Sequence, residues 1–164
     1  MIRSLRLPLA GLAATVLGAA VAAPVLSEPK VAASDLPPPV VAAVEAAEPG
    51  ITITQAELKE RDGRRYYDVE GAVGGEEIEL DLLELPSGLW SVVEIQRDID
   101  WATAPEAVRT AAGNVSPVRV IESRQAADGA VIYELFAEGR PADPSLEVMW
   151  KDGQAKVLSE RWPH

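Results

Sequence analysis

From residue 51 onward, hydrophobic and polar side chains alternate in short runs that end at Gly, Asp or Pro. Alternation with a period of two is typical of an antiparallel strand with one buried face and one wet face. In the clearest run, the aliphatic residues Ile78, Leu80 and Leu82 alternate with the acids Glu77, Glu79 and Asp81. The pattern predicts eight strands, at residues 51–58, 66–70, 77–82, 90–95, 118–123, 131–136, 146–150 and 156–162.

Two short segments have helical spacing instead. Residues 40–47 place four apolar side chains on one stripe, and a Pro-Gly pair stops the helix. The second segment opens with Thr103-x-x-Glu106, a capping-box pattern with Pro105 in the first turn, and a Gly-Asn pair ends it. Both helices are short and rich in alanine, so each needs a sheet to pack on.

The order of elements repeats. Asp62-Gly63 followed by Tyr67 recurs 66 residues later as Asp128-Gly129 followed by Tyr133, and two prolines that open the helices have the same separation. This predicts an α+β fold of two tandem copies, each a short helix followed by a four-stranded antiparallel meander, with the helix packed on one sheet face. The copies cover residues 40–100 and 101–164, and the two tyrosines should pack beneath the helices.

The first 39 residues have a different character. Residues 1–22 combine two arginines, an apolar run and an Ala-Val-Ala end, which is the plan of a cleaved secretory signal peptide. An uncleaved membrane anchor is the alternative, although the alanine-rich run is only weakly hydrophobic. Residues 23–39 are rich in proline and polar residues and predict an extended tether. We therefore expect a periplasmic or secreted protein without a membrane span after cleavage.

Composition removes several function classes. The chain has 15 basic and 26 acidic residues and a formal charge of −11, so nucleic acid is not an expected partner. It has no Cys, which excludes disulfides, thiol catalysis and cysteine-ligated metals. A serine triad would depend on its one histidine, the terminal His164. We therefore expect that the protein is not an enzyme and has neither catalytic residues nor a cofactor.

The residues also resemble a known family. Tyr67-Asp68-Val69-Glu70 with the acidic strand at 77–81, and Tyr133-Glu134-Leu135 with the strand at 146–150, are similar to the PepSY-like, beta-lactamase-inhibitor-like group of small secreted bacterial domains. The resemblance covers residues 36–162, and the chain departs from the usual lysine-rich members in being acidic and arginine-dominated. The resemblance implies an exported protein. It gives no catalytic residue, and it implies neither lactamase binding nor peptidase inhibition for this chain.

The acidic strand allows two interpretations. Glu77, Glu79 and Asp81 share one strand face and could offer oxygen ligands to a cation such as calcium. However, nothing in the sequence supplies six ligands, and a solvated face that blocks edge aggregation explains the same acids. We therefore predict no metal site.

Aromatic residues supply the candidate protein-binding surface. Tyr66 and Phe136 have the opposite parity to the core tyrosines and should lie on outer sheet faces, where Tyr, Trp and Arg are typical of interfaces. The candidate binding residues are Tyr66, Phe136, Trp90, Trp162 and Arg65. The function predicted is an exported, non-enzymatic binding or regulatory protein that engages a periplasmic protein. The alternative is an accessory protein that senses a cation or small ligand with its acidic strand, and the sequence does not specify the oligomeric state.

Overall fold

The computed structural model describes residues 30–162. In that range the chain forms two α-helices, α1 (Pro38–Ala47) and α2 (Glu106–Ala112), and two 3-10 turns at Ala33–Asp35 and Trp101–Thr103. Its nine strands are β1 (Lys30–Ala32), β2 (Thr52–Arg61), β3 (Arg64–Val73), β4 (Glu76–Glu84), β5 (Trp90–Asp98), β6 (Arg119–Gln125), β7 (Val131–Phe136), β8 (Leu146–Lys151) and β9 (Gln154–Val157). Neither helix of this part of the chain has the length and apolar character to cross a bilayer.

All nine strands form one antiparallel sheet, in which the spatial order follows the chain order. The expected fold of two tandem copies, each a helix with its own four-stranded meander, is therefore wrong. β5 pairs with β6 along five residues and makes the sheet continuous where the copies were expected to separate. An ion pair between Arg97 and Glu122, 2.8 Å long, crosses this junction. Alternation shows which side chains face a core, but it does not report which strand edges pair.

The predicted tether is partly built into the fold. Lys30–Ala32 pairs with β2 at the edge of the sheet, and α1 begins at Pro38. Prolines suit the first turn of a helix because their missing N–H groups would have no intrahelical acceptor there. The predicted signal peptide at 1–22 and the tether residues 23–29 lie outside the described residues.

α1 and α2 lie on the same face of the sheet, called the helix face below. Cross-strand register shows this, because Leu80 is opposite Ile95, Ile95 is opposite Arg124, and Arg124 is opposite Val131. Directly opposed residues of antiparallel strands point to the same side of a sheet. The side chains that pack against α1 and those that pack against α2 therefore share one side.

The helix face carries two hydrophobic clusters. Val40 and Val44 of α1 are fully buried in the first cluster, which contains Tyr67. Val108 of α2 is fully buried in the second cluster, which contains Tyr133. The prediction that both tyrosines pack beneath the helices is confirmed. Each helix gains its stability from this packing, since ten and seven residues are too few for a stable isolated helix.

The hairpin turns show where a single residue type decides the local structure. Asp62 and Gly63 have φ of 54° and 70°, and Asp152 and Gly153 have φ of 51° and 78°. Positive φ at both positions defines the two-residue type I′ turn, whose twist matches the flanking strands. Asp128, in the loop between β6 and β7, is not among the residues with positive φ. The two Asp-Gly pairs that suggested a repeat therefore have different backbone conformations.

The expected capping box at the start of α2 is absent. Thr103 donates its hydroxyl to the Asp100 carbonyl, 2.7 Å away, inside a 3-10 turn. The helix begins at Glu106, after an N-cap Pro105 that makes no side-chain cap. The reason is that a residue before proline is held extended, and Ala104 has ψ of 146°. The helix cannot start early enough for Thr103 to cap it.

Candidate functional site

The face of the sheet opposite α1 and α2, called the open face, carries the candidate site. On β3 and β4 the residues between the core positions point to it. They are Tyr66, Asp68 and Glu70 of β3, and Glu77, Glu79, Asp81 and Leu83 of β4. Strand alternation thus separates an aliphatic core on one side from acids on the other.

Four acids lie in direct register across four neighbouring strands. Glu57 of β2 is opposite Asp68, Asp68 is opposite Asp81, and Asp81 is opposite Glu94 of β5. We call these four residues the carboxylate row. Opposed like charges destabilise a sheet by roughly 0.2–1 kcal/mol per pair. Residues that destabilise the fold in this way are expected mainly at functional positions.

The centre of the row is the most crowded part. Asp68, Glu79 and Asp81 have carboxylate oxygens that lie within 4.8 Å of one another. Burial, followed by the charges of Asp68, Glu94 and Glu79, raises the pKa of Asp81 to about 8. Burial and the neighbouring Asp68 also raise the pKa of Glu79. At neutral pH this cluster therefore favours holding a proton or a cation.

Neighbouring polar side chains contact the two members of the row on either side of Asp81. The Lys59 ammonium ion-pairs with Asp68, and the Ser123 hydroxyl donates to Glu94. Glu94 is only 4% exposed and also accepts a 3.3 Å hydrogen bond from the Gln96 amide. Asp81 lies between these two hydrogen-bonded carboxylates. Its burial and the neighbouring negative charges disfavour its ionised form.

A groove of about 540 Å³ runs beside the row. Every residue that lines it belongs to one of the strands β2 to β6. The lining has five carboxylates, from Glu70, Glu76, Glu77, Glu79 and Asp98. Its two arginines are already engaged. Arg119 ion-pairs with Asp98 of the groove at 2.9 Å, and the Arg97 side chain points to the helix face, where it ion-pairs with Glu122 at 2.8 Å. The groove therefore presents a net negative surface.

The open face of the other half of the sheet is covered by the chain itself. β9 ends at Val157, and Leu158 still donates its backbone N–H to the Glu147 carbonyl of β8 at 2.9 Å. Residues 159–162 do not continue the strand that was predicted to reach residue 162. Arg161 ion-pairs with Glu147 of β8 at 3.3 Å, and the Trp162 backbone N–H donates to the same carboxylate at 2.7 Å. Glu147 lies directly opposite Glu134 of β7, and both are buried.

The predicted binding residues do not form one patch. Tyr66 is partly buried on the open face, with the guanidinium groups of Arg61 and Arg64 5.9 and 5.8 Å from its ring centroid. Phe136 is on the same face, four strands away, but it is 4% exposed beneath Arg119 and offers no contact surface. Trp162 lies over Glu147 in the covered half.

The other two predicted residues belong to the helix face. Trp90 contacts the core Tyr67, with 4.9 Å between the ring centroids. Arg65 stacks over Trp90 at 5.8 Å and ion-pairs with Glu84 at 3.0 Å. This pair is a structural contact at the margin of the first core cluster, so only Tyr66 of the predicted set adjoins the carboxylate row.

Sequence reasoning identified the acids of β4 but not the row they form. Glu57, Asp68 and Glu94 join Asp81 only through the register of four strands, and no single segment shows that register. The available signal was the pair of alternating acids on neighbouring predicted strands, which a hairpin would place opposite each other.

Comparison of the chain with known protein families, curated proteins and solved structures finds no match.

Proposed function

We propose that the chain is an exported, non-enzymatic binding protein that engages a basic polypeptide with the open face of its sheet. The single observation that carries this proposal is the groove whose lining has five carboxylates beside the carboxylate row. Export rests on the leader pattern of residues 1–22 and on the resemblance to secreted PepSY-like domains. The partner is then another protein of the same compartment.

The charge of the groove favours a cationic partner over an apolar one. Complementary potentials steer association and exclude wrong partners. The whole chain adds to this field with a formal charge of −11. The residues that line the groove lie on strands, whose backbones are fixed by hydrogen bonds to neighbouring strands. Binding of a partner therefore requires little additional ordering of the backbone.

Tyr66 extends the same surface. It lies two residues before Asp68 on β3, opposite Leu83, and so adjoins the carboxylate row on the side away from the groove. An aromatic residue of this kind supplies contact area at low entropic cost. Tyr66 therefore remains a candidate binding residue.

Binding of a fluorescent peptide of four lysines and four arginines tests the proposal. Its anisotropy would be measured against the chain and against a triple variant with Glu70→Gln, Glu77→Gln and Glu79→Gln. Removing three groove charges should weaken binding by about tenfold or more, equivalent to roughly 1.4 kcal/mol.

A matched control separates the groove from the overall charge. Glu45→Gln, Glu106→Gln and Glu138→Gln remove three exposed charges from positions outside the groove. This variant should bind within about twofold of the unmodified chain, because screened distant charges contribute little. Equal losses in the two triple variants would show that the peptide senses only net charge, and the proposal would be wrong.

A divalent cation is the second candidate, favoured by the three carboxylates of Asp68, Glu79 and Asp81 within 4.8 Å. Calcium prefers six to eight oxygen ligands, however, and the Lys59 ammonium already pairs with Asp68. Thermal unfolding in millimolar calcium tests it, since a ligand of the native state raises the midpoint. A shift that disappears in Asp81→Asn would support the cation, and an unchanged midpoint would exclude it.

A further inference from the structure

Residues 159–162, called the strap below, cross the open face of the sheet at β7 and β8 without joining it. Among the described residues, this segment belongs to no helix or strand, and its first three residues are exposed. It follows Leu158, whose backbone N–H donates to the Glu147 carbonyl of β8. A segment outside the strand ladders opens at a lower free energy than the sheet on which it lies. The strap can therefore leave its site while the sheet stays folded.

The contacts of the strap converge on one buried carboxylate. Arg161 places one guanidinium nitrogen 3.3 Å from Glu147 and another 2.6 Å from Asp143. The Trp162 backbone N–H donates to the other oxygen of Glu147 at 2.7 Å. Glu147 is 4% exposed, so a guanidinium and the adjacent backbone together replace the water that would otherwise hydrate this carboxylate.

Two opposed acids form the floor of this site. Glu147 lies directly across from Glu134 of β7, and both are buried on the open face. Opposed like charges destabilise a sheet, so acids in this arrangement are expected mainly where they have a function. The seated guanidinium of Arg161 shows what this site accepts, namely an arginine together with the backbone N–H of the residue that follows it.

The strap leaves part of its site unfilled. A cavity of about 390 Å³ lies between the strap, the sheet and the loop that joins β7 to β8. Its lining includes both acids of the floor, the Phe136 ring, and Pro141 and Pro144 of the loop, next to Arg161 and Trp162 of the strap. A different segment with the same arginine can fill this space and gain contact area that the strap does not have. An identical strap from a second copy would leave the cavity unfilled.

We propose that the strap is an intramolecular ligand of a second polypeptide-binding site, which takes a segment of another protein once the strap has left. The partner segment supplies an arginine followed by an aromatic residue, in the order of Arg161 and Trp162, and extends into the cavity. This inference goes beyond the proposed function, because the site lies on β7 and β8 and its acids are not those of the groove. Competition between the strap and the partner regulates the site.

Tethering explains why the strap occupies the site in the free protein. A ligand joined to its site by a short linker reaches an effective concentration in the millimolar range. Weakening the strap should therefore raise the apparent affinity of a free partner segment, because more of the protein is open to bind it. Arg161 is the side chain to change, since it contacts both Glu147 and Asp143.

Titration with acetyl-Ser-Glu-Arg-Trp amide, which has the sequence of the strap, tests the inference. The peptide has no net charge, so general attraction to an acidic protein contributes little to its binding. Amide chemical shifts would be followed in the full chain and in its Arg161→Ala variant. The variant should bind the peptide at least about tenfold more tightly than the unmodified chain, with the largest shifts at Glu134 and Glu147.

Two controls separate recognition from charge. Lys156→Ala removes one exposed positive charge from β9 and leaves Arg161 in place, so its affinity for the peptide should stay within about twofold of that of the unmodified chain. Acetyl-Ser-Glu-Lys-Trp amide keeps the charge but lacks the planar fork of arginine, and it should bind Arg161→Ala at least about fivefold more weakly than the arginine peptide. Circular dichroism and the urea midpoint of both variants establish that each is folded.

Three outcomes would overturn the inference. Equal affinity of the unmodified chain and Arg161→Ala for the arginine peptide would show that the strap does not compete for the site. Equal affinity of Arg161→Ala for the two peptides would show that the site does not recognise the guanidinium. A dimer of the unmodified chain, seen by sedimentation and lost in Arg161→Ala, would make a second copy the occupant in place of another protein.

Discussion

Replacing Asp81 by Asn should stabilise the protein at alkaline pH and leave it nearly unchanged at acid pH. Asp81 is opposed by Asp68 on one side and by Glu94 on the other, so ionisation of Asp81 creates two like-charge pairs. At roughly 0.2–1 kcal/mol each, these pairs cost up to about 2 kcal/mol. Asn has almost the same shape and no charge, and removes both.

The sign of the pH dependence follows from the direction of the shift. Burial and the neighbouring charges raise the pKa of Asp81 from its ordinary value of 3.8 to about 8 in the folded protein. Between these values the folded state holds a proton that the unfolded state releases, so the free energy of unfolding falls as the pH rises. A shift of about four pH units limits the total loss to about 6 kcal/mol, shared with Glu79 and the rest of the cluster.

Urea unfolding followed by tryptophan fluorescence measures the effect. At pH 9 the free energy of unfolding of Asp81→Asn should exceed that of the unmodified chain by about 2 kcal/mol, and at about pH 3, where Asp81 is protonated in both the folded and the unfolded state, the two should agree within about 0.5 kcal/mol. Glu77→Gln is the control, because Glu77 is an exposed acid of the same strand opposite Ala72. It should leave the pH profile unchanged. A destabilised Asp81→Asn at pH 9, or the same difference at both pH values, would refute the carboxylate row as an electrostatic unit.

Three further predictions concern the fold. Gly71→Ala should destabilise the protein, because the new methyl group would lie 2.8 Å from the Thr52 carbonyl oxygen. The urea midpoint measures this loss of stability. An unchanged midpoint would contradict the close approach of Gly71 to the Thr52 backbone. Val108→Ala should lower the free energy of unfolding by about 2 kcal/mol, because it leaves a cavity in the second core cluster. The control Val118→Ala, at a position 65% exposed, should lower it by less than about 0.5 kcal/mol. Equal losses would contradict the burial of α2. Arg161→Ala should speed hydrogen exchange of the Trp162 amide, and unchanged protection would show that the ion pair to Glu147 does not hold the segment.

Local patterns predicted the strands and turns well, and the physical reason is that these features depend on neighbouring residues. The run at 131–136 became β7 with the predicted bounds. Asp62-Gly63 became a type I′ turn because Gly and Asp tolerate positive φ. The helix at 40–47 was also found, and it begins two residues earlier because prolines fit its first turn.

The features that failed depend on distant pairing. No property of β5 or β6 alone shows that Gln96 lies opposite Ser123, and so the sequence suggested two sheets where the chain forms one. Phe136 has the parity of a surface residue, but Pro141, Trp162 and other residues that follow it in the chain line the same pocket. The carboxylate row has the same origin, since each acid alone resembles an ordinary solvated charge.

The most direct test of the account is to locate a basic peptide on the folded protein by NMR. Amide chemical shifts would be followed while the peptide of four lysines and four arginines is titrated. We expect the largest changes at Glu70, Glu79 and Gln96, which line the groove on three neighbouring strands, and none along α1. Changes centred on α1 and the helix face, with the groove amides unmoved, would contradict the claim that the acidic open face is the binding surface.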